Sequence, residues 1–84
     1  ASISMYELDK KDQERVSNMW RAFKDVLTAE EYVSLKKECM RVFDLTKDIE
    51  DLNGFAGELK IISRAAKYLN LYDKLYSIMG KYIS

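Results

Sequence analysis

The chain has 84 residues, with 14 basic and 14 acidic side chains, no histidine, no proline and a single cysteine. Zero formal net charge argues against a dedicated nucleic-acid binder, whose usual footprint is a basic excess. One cysteine excludes an internal disulfide scaffold. A composition of 48% hydrophobic and 33% charged residues is too apolar for a disordered chain, and the length suits one domain with a limited interior.

With no proline and three glycines, backbone punctuation is nearly missing, and long helices are expected. No apolar run approaches the roughly 18 residues of a spanning helix. The opening "ASISMYELD" lacks the basic and apolar regions of a signal peptide, so a cytoplasmic setting is expected.

Ser4 and Glu7 form a capping-box pattern, with Asp9 as a competing start, and the first helix is expected over about 5–27. At 100° per residue Val16, Met19, Trp20, Phe23, Val26 and Leu27 share a stripe, which Asp12 interrupts early. "TAEE" at 28–31 is the clearest local signal: Thr28 can cap the next helix and Glu31 can reciprocate. That helix is expected over 29–52. Its face carries Tyr32, Leu35, Cys39, Val42 and Phe43, flanked by Val33 and Met40. Leu45, Ile49 and Leu52 then point elsewhere, so either the helix bends or breaks near 44–46 or its lower half touches a different neighbour.

"NGFAG" at 53–57 ends the second helix, with Gly54 suited to positive φ and Gly57 as a second flexible point. The last segment, 57–83, reads either as one long helix or as two with a break near Asn70. Phe55, Leu59, Ile62, Ala66 and Leu69 make one stripe, and Ile61, Ala65, Tyr68, Tyr72, Tyr76, Met79 and Ile83 a second. The resulting fold is all-α: a small antiparallel bundle of three or four helices. Its expected core is Val16, Met19, Trp20, Phe23, Leu27, Leu35, Cys39, Phe43, Leu59, Ile62, Ala66 and Leu69.

The charge is balanced in total but not in distribution. Residues 1–28 are neutral, 29–53 carry an acidic excess and 54–84 a basic one. This predicts that the second and third segments pack against each other. Lys60, Arg64, Lys67 and Lys74 form a partial basic strip, the only feature that suggests nucleic acid, and compensating acids weaken it. The apolar stripe lacks the strongly basic flank of a membrane-surface helix.

Catalytic chemistry is poorly supplied. Histidine, the commonest base near neutral pH, is absent. Cys39 lies on a core stripe, where an inert thiol is expected. No Cys/His cluster suggests zinc. Asp44, Asp48, Glu50 and Asp51 lack the order of a calcium loop and read as a solvated helix face. "GFAGELK" lacks the spacing of a phosphate-binding loop. No cofactor, no metal and no enzymatic activity are expected.

What stands out is the C-terminal run "YLNLYDKLYSIMGKYIS", with four tyrosines. Tyr68, Tyr72 and Tyr76 recur every four residues, a pattern commonest where a helix covers a core with its apolar body while the hydroxyls reach the rim. Leu71, Ile78 and Tyr82 lie on the opposite side, and a chain this small would struggle to cover both faces, so the second reading is an exposed surface; tyrosine and methionine are enriched where proteins meet. On that reading Tyr68, Leu71, Tyr72, Leu75, Tyr76, Met79 and Tyr82 form a face that binds another protein, in an adaptor, inhibitor or regulator. The alternatives are a helix-mediated homo-oligomer such as a homodimer, and a dimeric nucleic-acid-binding regulator using the basic strip.

Overall fold

A computed structural model describes residues 9–83, with four helices and no strand among them. The helices are α1 (Lys10–Val26), α2 (Ala29–Thr46), α3 (Gly54–Tyr68) and α4 (Tyr72–Ile83). An 18-residue helix is about 27 Å long. Helix α2 therefore runs the full width of a molecule measuring 29 × 26 × 26 Å. All four helices pack around one core, as the all-α expectation required. Its fully enclosed centre is Met19, Phe23, Leu35, Ile61, Ile62 and Leu75.

Asp9 starts α1, its carboxylate accepting the Asp12 amide at 2.8 Å. The Ser4–Glu7 box and residues 5–8 of the expected first helix lie outside the described residues. Only Leu27 and Thr28 separate α1 from α2. The capping box at α2 forms as read. Thr28 Oγ1 accepts the Glu31 amide at 3.0 Å, and the Glu31 carboxylate accepts the Thr28 amide at 2.9 Å.

Helix α2 stops at Thr46 rather than 52. The Thr46 hydroxyl donates to the Val42 carbonyl at 2.8 Å, and the Thr46 carbonyl accepts the amides of Ile49 and Glu50 in a tight turn. The gain from leaving the helix is Leu52, which becomes buried while Leu45 and Ile49 stay outside. An uninterrupted helix would have kept Leu52 on the outer side with them.

Helix α3 begins at Gly54, earlier than expected, with φ +72° at that residue. Gly57 acts differently from the flexible point that the sequence suggested. It lies inside the first turn of α3, where an added Cβ would stand 1.9 Å from the Leu52 carbonyl oxygen and 2.2 Å from its carbon. The missing side chain is what lets the 51–53 segment fold back against α3. At Gly54, by contrast, space is open and only the backbone angle asks for glycine.

The long C-terminal segment is two helices. Asn70 takes φ +60°, the Leu71 amide donates to the Ala66 carbonyl at 2.8 Å, and the Asn70 amide to that of Lys67 at 3.2 Å. This is a Schellman stop, with Asn70 in the left-handed position that usually falls to glycine. Asn70 thus ends α3.

The core differs from the expected set in both directions. Val16, Trp20, Phe43, Leu59 and Leu69 are only half-buried. Val42, Leu52, Ile61, Ala65, Leu71, Leu75, Ile78 and Met79 join the interior. Leu75, Ile78 and Met79 come from α4, whose inward stripe follows from the new start after Asn70.

Four substitutions test these backbone constraints by urea or thermal unfolding. Gly57→Ala should cost about 3 kcal/mol, because backbone rather than a flexible side chain must move. Gly54→Ala should cost about 1 kcal/mol, for its backbone angle alone. At the Schellman stop, Asn70→Gly should be near neutral and Asn70→Ala should lose about 1 kcal/mol.

Candidate functional site

The break at Asn70 divides the expected C-terminal face. Leu71, Leu75 and Met79 are 6%, 0% and 3% exposed and belong to the core. Tyr82 is half-buried against that core. Four-residue spacing carries a side chain along one face only while the helix continues. The left-handed residue at 70 resets that phase, so the aliphatic half of the face turns inward.

Tyr68 and Tyr76 remain exposed and Tyr72 is half-buried against the core, and the three form two groups. Tyr68, on α3 and 68% exposed, lies under the Arg41 guanidinium at 5.0 Å. Arg41 in turn forms a two-pronged ion pair with the buried Glu38. On α4, Tyr72 and Tyr76 stack with ring centroids 5.8 Å apart and planes 17° from parallel. The Lys67 ammonium sits 4.9 Å from the Tyr72 ring, and Tyr76 is 59% exposed.

The basic strip is largely committed to neighbours. Arg64 pairs with Glu50 at 2.7 Å, Lys74 with Glu31 at 2.9 Å, and Lys67 covers Tyr72. Lys60 is exposed. Both ion pairs join the acidic middle segment to the basic C-terminal one, as the uneven charge distribution suggested. The same pairs hold the Glu31 and Glu50 carboxyls below their usual range. For Glu31 the first cause is the bond from the Thr28 backbone, and for Glu50 it is the Arg64 guanidinium.

A second surface escaped the sequence reading. Between α1 and α2, floored by the start of α3, lies an open cleft of about 480 Å³. Trp20, Tyr32, Val16 and Met40 line it, with Cys39 and Glu58 among its lining residues. Trp20 meets Tyr32 edge to face at 5.6 Å and Phe23 at 5.1 Å. Lys36 covers both rings, at 5.0 Å from Tyr32 and 5.9 Å from Trp20, and Lys24 stands 5.2 Å from Tyr32. Lys24, Lys36 and Arg21 form a basic rim. The signal was present in the sequence, since Trp20 and Tyr32 lie on the apolar stripes of successive helices, but assigning Trp20 to the core concealed it.

Glu58 and Cys39 show how dry the cleft wall is. Burial pushes the Cys39 thiol up to about 12, helped by the neighbouring Glu38 charge, so at neutral pH it stays protonated. Glu58 is 8% exposed and forms no hydrogen bond or ion pair among the described residues. Burial alone raises its carboxyl from 4.5 to about 7. Among the described residues, no group of three or more acidic, histidine or cysteine side chains could hold a metal. No described helix is long and apolar enough to cross a membrane.

The folded-state shift of Glu58 sets a pH dependence. Between pH 4.5 and about 7 the native chain keeps a proton that the unfolded chain has released. Its contribution to stability is therefore full below 4.5, falls as pH rises through that window, and stays lost above it. The span is about 3 kcal/mol at most. Glu58→Gln, which cannot titrate, should match the parent near pH 5 and exceed it by about 1–3 kcal/mol at pH 8 in urea unfolding. Equal pH slopes for the two proteins would refute the assignment. No family model, no curated protein and no solved structure matches the chain, so the chemistry of its own surfaces carries the functional reading.

Proposed function

We propose that this chain is a small non-enzymatic interaction module that works in the cytoplasm and regulates a partner protein by occupying its surface. The observation that carries the reading is the Tyr72–Tyr76 stack on α4, in which Tyr72 rests half-buried against the core and holds the exposed Tyr76. Leu75, Ile78 and Met79 of the same helix are buried, so α4 is anchored by one side and offers the other as a rigid aromatic platform. Such a platform binds at low entropic cost, because its rings are already ordered before the partner arrives. Tyr68 extends the display from α3 through its contact with Arg41.

The aliphatic members of the originally expected face contribute only by fixing α4. The contacts to a partner come from Tyr68, Tyr72 and Tyr76. Nucleic acid is a weaker reading, because Arg64 and Lys74 of the basic strip are each paired with a glutamate.

The test is capture by the tagged chain from lysate of its source cell, with and without nuclease. A stoichiometric protein should be retained after nuclease treatment. Tyr76→Ala, at a 59%-exposed position, should then weaken its affinity by about tenfold or more while leaving helicity unchanged. Unchanged affinity in that variant, or loss of every captured protein on nuclease treatment, would remove the tyrosine platform from the mechanism.

A further inference from the structure

The molecule displays two apolar surfaces of opposite charge, and neither belongs to the tyrosine platform. One is the cleft between α1 and α2. Its rim carries Arg21, Lys24 and Lys36, while the one acid lining it is Glu58. Because burial favours the neutral form of Glu58, the cleft presents positive charge around an aromatic floor. Glu58 is 8% exposed and has no hydrogen bond or ion pair among the described residues.

The other surface is the end of α2 and the turn beyond it. Leu45 and Ile49 are 64% and 77% exposed, the latter being the most exposed large hydrophobic side chain among the described residues. They are interleaved with Asp44, Asp48 and Asp51. Lys47 offsets part of this charge through its 3.7 Å contact with Asp44, and Glu50 is taken by Arg64. Asp48 has no partner among the described residues. An exposed aliphatic pair among carboxylates is the chemical complement of an aromatic cleft among ammonium groups.

We propose that the α1–α2 cleft receives the acidic α2 end of a second copy of this chain, so that copies add head to tail. Leu45 and Ile49 of one copy enter over Trp20, Tyr32 and Met40 of the next. Asp44 and Asp48 meet Lys24 and Lys36 at the rim. Each copy uses two different patches, with no residue in common, and the contact inferred is head to tail: one junction per pair of copies rather than the two reciprocal junctions of a two-fold dimer. Such association grows with concentration and stays open-ended as long as the rotation between copies does not close a ring. Because its interface combines apolar contact with exposed ion pairs, it is moderately weakened by salt. The platform of Tyr68, Tyr72 and Tyr76 remains free in such a chain, and the inference does not depend on it.

Sedimentation of the full chain at rising concentration tests this directly. The weight-average mass should climb continuously, and raising salt should weaken association by roughly tenfold. A cleft variant, Lys36→Glu with Met40→Glu, and an end variant, Leu45→Ser with Ile49→Ser, should each be monomeric. All four positions are exposed, so both variants should keep the parent's helicity and melting behaviour. Mixed together they retain one complete junction, and should form a 1:1 dimer that grows no further. Trp20, the only tryptophan, should report that junction by a blue shift in its emission.

A parent chain that stays monomeric throughout the concentration series overturns the proposal. So does self-association that survives in either variant, or a mixture that forms no dimer. Tyr76→Ala serves as the control for the platform. If it abolishes assembly, copies meet through the tyrosines rather than the cleft. If it abolishes partner capture but leaves assembly unchanged, the two surfaces act separately.

Discussion

The left-handed backbone at Asn70 is the constraint on which most of this molecule depends. Without it, α3 and α4 would be one helix of about 45 Å, longer than any dimension of the folded particle. The positive φ ends α3 through two backbone hydrogen bonds and lets the chain set off in a new direction. Leu71, Leu75, Ile78 and Met79 can then close the core, with Tyr72 half-buried against it and Tyr76 left outside by the same rotation. One residue therefore decides both what fills the interior and what is shown to a partner.

Several polar contacts make that arrangement specific. Arg15 on α1 donates to the Tyr82 carbonyl near the C-terminal end of α4, pairs with Asp12 at 3.1 Å, and lies 3.9 Å over the Phe55 ring of α3. A guanidinium placed against a helix C-terminus also meets the negative end of its dipole. At the other end of α4, Lys74 reaches the Glu31 carboxylate that already caps α2. Exposed ion pairs contribute little individually. Their importance here is geometric, because each ties α4 to an element distant in sequence.

The two buried acids illustrate how burial separates structural from poised groups. Glu38 keeps a tight two-pronged bond with Arg41 and helps hold that guanidinium over Tyr68. Glu58 has no such partner, and desolvation moves its ionisation toward neutral pH. The difference follows from position. Glu38 faces the edge of α2, where Arg41 lies one turn on, whereas Glu58 is held at the foot of the α1–α2 cleft by the close approach of Gly57 to Leu52.

Local chemistry was legible in the sequence wherever three or four neighbouring residues suffice. The Thr28–Glu31 capping box, a bend or break near 44–46, positive φ at Gly54 and the all-helical class all follow from side chains that interact within a few turns. The attraction between an acidic middle and a basic end was legible too, because charge acts without exact register. The core membership of α4 was not. Periodicity carries a face forward only through continuous helix, and the two outcomes at Asn70 place Leu71, Leu75 and Met79 on opposite sides of the protein. Nor could Trp20 and Tyr32 be distinguished from core residues, since half-burial depends on how far α1 and α2 diverge above α3. Sequence alone settled the elements and their caps. The tertiary structure decided which apolar stripes were covered, because an 84-residue chain has more apolar surface than its small interior can enclose.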